Sequence, residues 1–521
     1  MIFLLLSATG LATFALARQA LSEMPATLAG CTALFSVYAL YTAYERAAFG
    51  ELAGGFWIPL LMLFALRDRN PSAPFWRRVL DGSAFPLALV LAGCWLSDAP
   101  VGVMASYLLA AVALTAALLS RSWVPVARAS IAAVLGIALP AVYLVPAAWE
   151  SRWVNILQAT GTLDDPGLKI ESNRLFARNS NPLLEQHDLG LHFISRLSIF
   201  MIAVALVSVF TLWLRVRFFV KSRRETSSQP EGMLSPNRPH NSEPVARSWW
   251  ITLALIPPVV LFLQLPVSLP VWNLLPKLRL LQFPWRLLLV LEAPMGLFFA
   301  AAIWPAQPAK RWKRRAVAGF CALFYLSSVV FATRTFFLEC PTVELMPNLL
   351  AQYHSGGGFW GADEYAPPGA ANSIVATGLP DACLSGDFNT KLGADVTPDV
   401  NPVWRVEQAG CVSTAMAKLR QPEHMRIATV TSHAGYLILR LRNYPAWRVT
   451  VNGRLATNLP WREDGLMAVP VPQGSVDMQV DWTTTDDVIA GRWLSVLSLL
   501  LLTGICFLER KPFRSHAEPW A

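Results

Sequence analysis

Apolar runs of about 17–21 residues recur along most of this chain, and they constrain its fold more than any other feature. Each is long enough to cross a hydrocarbon layer as a helix, which needs about 20 apolar residues at 1.5 Å rise apiece. We read spans at about 2–18, 25–43, 50–66, 83–98, 101–120, 129–146, 197–214, 249–265, 286–304, 316–332 and 489–508. Hydrophobic residues make up 54% of the 521 and charged residues only 15%, where a soluble domain carries about a quarter charged. The expectation is a polytopic α-helical membrane protein of about eleven spans.

The charges are distributed as orientation signals. The formal net charge of +9 is concentrated in alternate loops. These hold Arg67, Arg69, Arg77 and Arg78; Arg121 and Arg128; Arg215, Arg217, Lys221, Arg223 and Arg224; and Lys310 to Arg315. The tail adds Arg510, Lys511 and Arg514. The positive-inside rule puts these loops and the C-terminus in the cytoplasm, and residues 44–50, 147–196, 266–285 and 333–488 outside. The same parity puts Met1 outside, with no basic residue before the first apolar run, so an upstream span is expected. Nucleic acid is not an expected partner: there is no zinc finger, helix-turn-helix pattern or aromatic-basic RNA motif.

Between the spans the text changes. Residues 147–196 form a long polar outside loop with Trp149, Glu150, Arg152, Asp164, Asp165, Arg174, His187, Asp188 and His192. Residues 221–247 are rich in Ser, Pro and charge and read as a disordered loop. Residues 333–488 lack a membrane run. From Arg426 they alternate with period two in RIATVTS, YLILRLRN, WRVTVNG, LMAVPV and VDMQVDW, broken by Asn452-Gly453, Asp464-Gly465 and Gln473-Gly474. This predicts an extracytoplasmic antiparallel β-sandwich before the last span, with Tyr444-Pro445 and Trp447 as core packing. Of the seven cysteines, Cys340, Cys383 and Cys411 fall in this region, and Cys383–Cys411 is the preferred disulfide.

The stretch Tyr44–Leu60, YERAAFGELAGGFWIPL, carries Glu45, Arg46 and Glu51 among apolar runs. A charge at a bilayer centre costs about 2.5–3.5 kcal/mol on insertion scales, so such groups sit in water or at a functional site. Gly50, Gly54 and Gly55 leave room beside Glu51 for close approach. Pro270, Pro276 and Pro284 break the helix across 268–294, so an interfacial or re-entrant piece is expected there. It brings Lys277, Arg279 and Arg286, interleaved with Trp272 and Trp285, to the level of lipid phosphates. Glu292 falls inside the following span and needs a partner, unless it snorkels to the outer surface. Glycine-rich GGGFWGADEY gives Asp363 and Glu364 freedom to reach a membrane site.

Several stretches resemble one family. ERAAFGELAGGFWIPL, CWLSDAPVGVMASY, AVYLVPAAWESRWVNI, LPKLRLLQFPWRLLL, GADEYAPPGAAN and NYPAWRVTVNG are similar to bacterial multispanning proteins of the YfhO-like type. Some of these are described as 6-pyruvoyl-tetrahydropterin synthase-related. The resemblance covers most of the chain. It implies a GT-C-type fold in the bacterial inner membrane, transferring sugar from a polyprenyl-phosphate donor to a cell-envelope glycan or lipid acceptor on the outer face. The first span here runs like the second span of that fold, so Glu51 matches the later acidic position rather than that of the first loop. The pterin description finds no support in the residues, because His187, His192, His354, His424 and His433 are not spaced as a zinc set.

For such an enzyme Glu51, with Glu45 second, is the candidate carboxylate for proton transfer or a divalent cation. Arg46, Arg286, Arg279 and Lys277 are candidates for the lipid phosphate, and Asp363, Glu364 and Glu292 are secondary. A divalent cation is the one cofactor this chemistry leaves open, with the polyprenyl-phosphate sugar as donor substrate. Two other readings stand beside it: a non-catalytic envelope protein that binds glycan, lipid or a partner, and a transporter. The transporter would need inverted repeats and facing charges, and only Glu292 answers to that.

Overall fold

The computed structural model describes residues 1–67, 72–155, 170–179, 184–226, 247–305, 310–337, 347, 365–370, 382–388, 417–421 and 423–510. It is mostly helical and divides into two compact units. One comprises Met1–Ala141, Pro166–Leu338 and Leu494–Ala521; the other comprises Val142–Asp165 and Glu339–Trp493.

Every predicted span falls on helix. Eight helices among the described residues are long and apolar enough to cross a membrane: Glu23–Tyr44, Phe49–Leu66, Ala99–Ser120, His187–Arg217, Arg247–Gln264, Pro284–Ile303, Arg311–Thr335 and Asp486–Glu509. Val124–Ala138 and Ala141–Trp153 qualify only as a broken pair, which makes nine. Ile2–Ala17 and Ala84–Ser97 are apolar but shorter, so the count by length is lower than the eleven expected. By length and composition these helices are compatible with a multi-pass membrane protein. In Asp486–Glu509 only 17% of the apolar window is buried, and such a helix keeps its surface out of water only in apolar surroundings.

The expected disordered loop begins later than its composition suggests. Helix Glu185–Thr226 runs on through Lys221, Arg223 and Arg224, because nothing before Thr226 breaks its backbone ladder. Residues 227–246 lie outside the described set.

Small residues set the helix packing in the first unit. Helices Ile2–Ala17 and Glu23–Leu34 cross at Gly10 and Gly30, where a Cβ on Gly30 would stand 2.6 Å from the Gly10 carbonyl oxygen. A Cβ on Gly296 would stand equally close to the Ala29 carbonyl oxygen, at 2.6 Å, and one on Gly136 would stand 2.7 Å from that of Ala88. Between apolar helices there is little hydrophobic gain, so backbone proximity and dispersion hold the contact. Tyr325 Oη, hydrogen-bonded to Thr32 Oγ1 at 2.9 Å, ties Arg311–Thr335 to the same layer.

The second unit contains two antiparallel sheets. One has the order β1(Ala382–Ser385), β4(Gly435–Arg442), β7(Leu466–Val471). The other runs β2(Ala417–Gln421), β3(His424–Thr431), β8(Gly474–Trp482), β5(Trp447–Val451), β6(Arg454–Leu455). Both contribute to one apolar core that includes Leu437, Leu439, Met467 and Val469 with Ile427, Met478 and Val480. The five alternating segments all form strands, since period-two patterning puts one face in that core. The sequence reading missed β1, β2 and β6, which are short and take their register from partners.

The turns follow their chemistry. Asn452 and Gly453 both have positive φ (51° and 77°) and make the two-residue connection between β5 and β6. Asp464 accepts both Arg462 Nε (2.9 Å) and Arg462 Nη2, which fixes the turn into Gly465. Trp447 packs against the core and stacks edge-on with Trp482 at 4.7 Å between centroids, as expected for a packing residue. Cys383 is disulfide-bonded. Its partner lies outside the described residues, where both Cys340 and Cys411 fall.

Gly30→Ala drives a methyl into backbone and should destabilise the protein by about 1–3 kcal/mol. Gly319→Ala, with nothing within 4 Å of the new Cβ, should be neutral or slightly stabilising. Thermal unfolding of the detergent-solubilised protein checks the pair. Equal midpoints for both variants would contradict the packing account.

Candidate functional site

Of the charges flagged between Tyr44 and Leu60, Arg46 and Glu51 meet. Helix Val37–Tyr44 ends at Glu45, and helix Phe49–Leu66 starts four residues on. Two contacts make the reversal: Arg46 N donates to Tyr41 O at 3.1 Å and Ala48 N to Thr42 O at 3.1 Å. Ala47 sits at φ 48°, a left-handed conformation that costs an alanine about 1 kcal/mol. The strain is offset by what the turn achieves, since it folds Arg46 back over the first turn of the next helix, where Glu51 lies.

Glu51 is 3% exposed. Its Oε2 accepts from Arg46 Nη1 at 2.8 Å, and Arg286 Nε stands 3.4 Å from the same oxygen. Its Oε1 accepts a short hydrogen bond from Tyr38 Oη. Two guanidiniums therefore share one buried carboxylate. The Arg286 Nε is buried and too poorly aligned to hydrogen-bond Glu51, and it has no other acceptor among the described residues.

Trp285 supplies the wall. Arg46 Cζ lies 4.7 Å from its ring centroid, a cation–π contact, and Tyr38 and Tyr41 meet the ring edge-on at 6.3 and 6.1 Å. The expected helix break forms short 3-10 turns at Pro276–Leu281 and Pro284–Leu287, hinged at Gln282 with φ 59°. These turns carry Arg286 to Glu51.

Gly50 brings a second carboxylate close. A Cβ there would stand 2.5 Å from the Ser97 carbonyl and 3.3 Å from Asp98 Cβ, so only glycine allows the approach. Asp98 begins the Ala99–Ser120 helix and feels the charges of Arg286, Glu51 and Arg46. Burial raises its pKa above the ordinary aspartate range, although Arg286 opposes the shift.

The other candidates are placed elsewhere. Glu45 is exposed, and its side chain makes no hydrogen bond among the described residues. Lys277 is exposed, and Arg279 donates to Asn273 Oδ1 rather than reaching Glu51. Glu292 is 2% exposed and accepts from Ser36 Oγ, so it is buried rather than snorkelled to the surface. Ser36 also caps helix Val37–Tyr44 by accepting from Ala39 N at 3.0 Å. Asp363, Glu364 and Cys411 lie outside the described residues. Among the described residues no group of three or more His, Cys, Asp or Glu is arranged to hold a metal ion. Two guanidiniums against Glu51 also disfavour a divalent cation at that carboxylate.

Sequence reading missed Tyr38 and Asp98. Tyr38 had a signal, an aromatic pair with Tyr41 on one helical face just before the charged stretch. Asp98 had the one that exposed Glu51, a carboxylate between apolar runs, but it sits where a helix-capping aspartate is expected. Comparison with protein-family models, curated proteins and solved structures finds no match for this chain.

Removing one partner from a buried ionic group costs about 3–5 kcal/mol, because the remaining charge stays buried. Glu51→Gln should therefore destabilise strongly, and Glu51→Gln combined with Arg46→Met should recover part of the loss. Tyr38→Phe, which removes one hydrogen bond to a charged group, should cost about 1.5–3 kcal/mol. A thermal unfolding series that found all three near wild type would show that the cluster does not hold the fold.

Proposed function

We propose that this chain is a GT-C-type glycosyltransferase-like protein of the bacterial inner membrane, related to the YfhO-like family. It transfers a sugar from a polyprenyl-phosphate donor to an envelope glycan or lipid acceptor on the outer face, with the C-terminus cytoplasmic and the β region outside. The observation that carries this reading is the pair of guanidiniums held at Glu51 with a second carboxylate beside them. A lipid-phosphate leaving group needs cations, and the attacking hydroxyl needs a base.

The acceptor hydroxyl oxygen forms the new bond to the anomeric carbon as the bond from that carbon to the phosphate oxygen breaks. The phosphate leaves with the electron pair, and Arg46 and Arg286 meet its charge. The displaced proton goes to a carboxylate. Glu51 has both oxygens engaged, so it suits a positioning role that holds the two arginines. Asp98, whose burial raises its pKa above the ordinary aspartate range, takes the proton.

The test is turnover of a panel of polyprenyl-phosphate hexoses and pentoses by the full chain in nanodiscs, with envelope glycan as acceptor. Asp98→Asn should lower the rate about 10²–10⁴-fold. The wild-type rate should rise with pH through a value above the usual aspartate pKa of about 3.9, as the base loses its proton. Arg286→Lys should raise KM more than it lowers kcat. Lipid-linked sugar bound without turnover would replace transfer by the binding reading, and neither binding nor turnover would remove both.

A further inference from the structure

Away from Glu51 the chain buries another guanidinium, and this one faces no carboxylate among the described residues. Arg174 follows the short turn Ile170–Asn173 and is 6% exposed. Its Nη1 donates to Pro266 O at 2.8 Å. Its Nε and Nη2 are buried and have no hydrogen-bond partner among the described residues. A guanidinium remains charged at any pH a protein survives, and a buried charge with unmet donors is unfavourable unless an acceptor fills them.

The frame around it is already fixed. Leu175 N donates to Gln264 O at 3.2 Å, Phe176 N to Ser195 Oγ at 3.0 Å, and Ala177 N to Arg174 O at 2.9 Å. Ser268 Oγ and Trp272 Nε1 both bond Leu263 O, at 3.1 and 3.0 Å, which pins the strand of chain that carries Pro266. Gln264, 1% exposed, buries its Nε2 without an acceptor among the described residues. The local acids do not answer: Asp188 accepts from Asn179 N at 2.9 Å and from its Nδ2 at 2.5 Å, while Glu171 and Glu185 are exposed.

The two unfilled nitrogens lie on one edge of the planar group, spaced to meet two oxygens of one oxyanion. We propose that Arg174, supported by Gln264, is a binding site for an oxyanion, a phosphate group or carboxylate taken either from a lipid headgroup or from solution. Gln264 ends the apolar Arg247–Gln264 helix, where a headgroup would lie if that helix spans. The site shares no residue with the Glu51 cluster and does not depend on the transfer reading.

The full chain, purified in a non-ionic detergent, should be titrated with inorganic phosphate, with acetate and with phosphatidylglycerol micelles, using chloride at matched ionic strength as control. A saturable rise in the unfolding midpoint is expected for at least one probe. A response to phosphate or acetate assigns a free anion, and a response to phosphatidylglycerol alone assigns the headgroup. Arg174→Gln should weaken the apparent affinity at least about tenfold. Arg174→Lys should also weaken it, since it keeps the charge and loses the planar edge. Gln264→Met, which leaves the arginine in place, tests the support if the arginine variants do not fold. Wild-type protein indifferent to all three probes would overturn the proposal, as would variants that respond like wild type.

Discussion

The carboxylate of Glu51 is the constraint on which the first unit depends. It is the anion around which four pieces of chain converge: the tyrosine helix, the Arg46 turn, its own helix and the proline-broken turns that carry Arg286. A charge among apolar helices is tolerated only when it is compensated, and here compensation fixes tertiary structure. The left-handed Ala47 and Gln282 are the local strain that this convergence requires.

Ser36 plays a similar part with Glu292. It interrupts the Glu23–Tyr44 stretch, caps the second half of it, and donates to a carboxyl on the Leu288–Ile303 helix. The break in one helix thus becomes the partner for a polar group on another. Both acids sit where Gly30, Gly50 and Gly296 allow backbones to come unusually close, so small residues and buried polar pairs are one packing solution. The chemistry follows from the same arrangement: one glutamate holds two arginines in a place where water is scarce, and electrostatics are strongest there.

The sequence by itself determined the apolar helices, their lengths and the alternating strands, because hydrophobic periodicity is a local property read from neighbours along the chain. It also singled out Glu51, Arg46 and Arg286, since a charge beside apolar runs is unfavourable wherever it lands. It did not determine which of the other cations would join them. Lys277 and Arg279 share the Arg286 segment, yet the turn geometry around Gln282 turns only Arg286 to the carboxylate. Tertiary structure alone decided the parts of Tyr38, Asp98 and Arg174, whose roles rest on partners 13, 48 and 92 residues away. Strands β1 and β2 were hidden for the same reason: short extended segments gain their stability from long-range pairing, which no local pattern records.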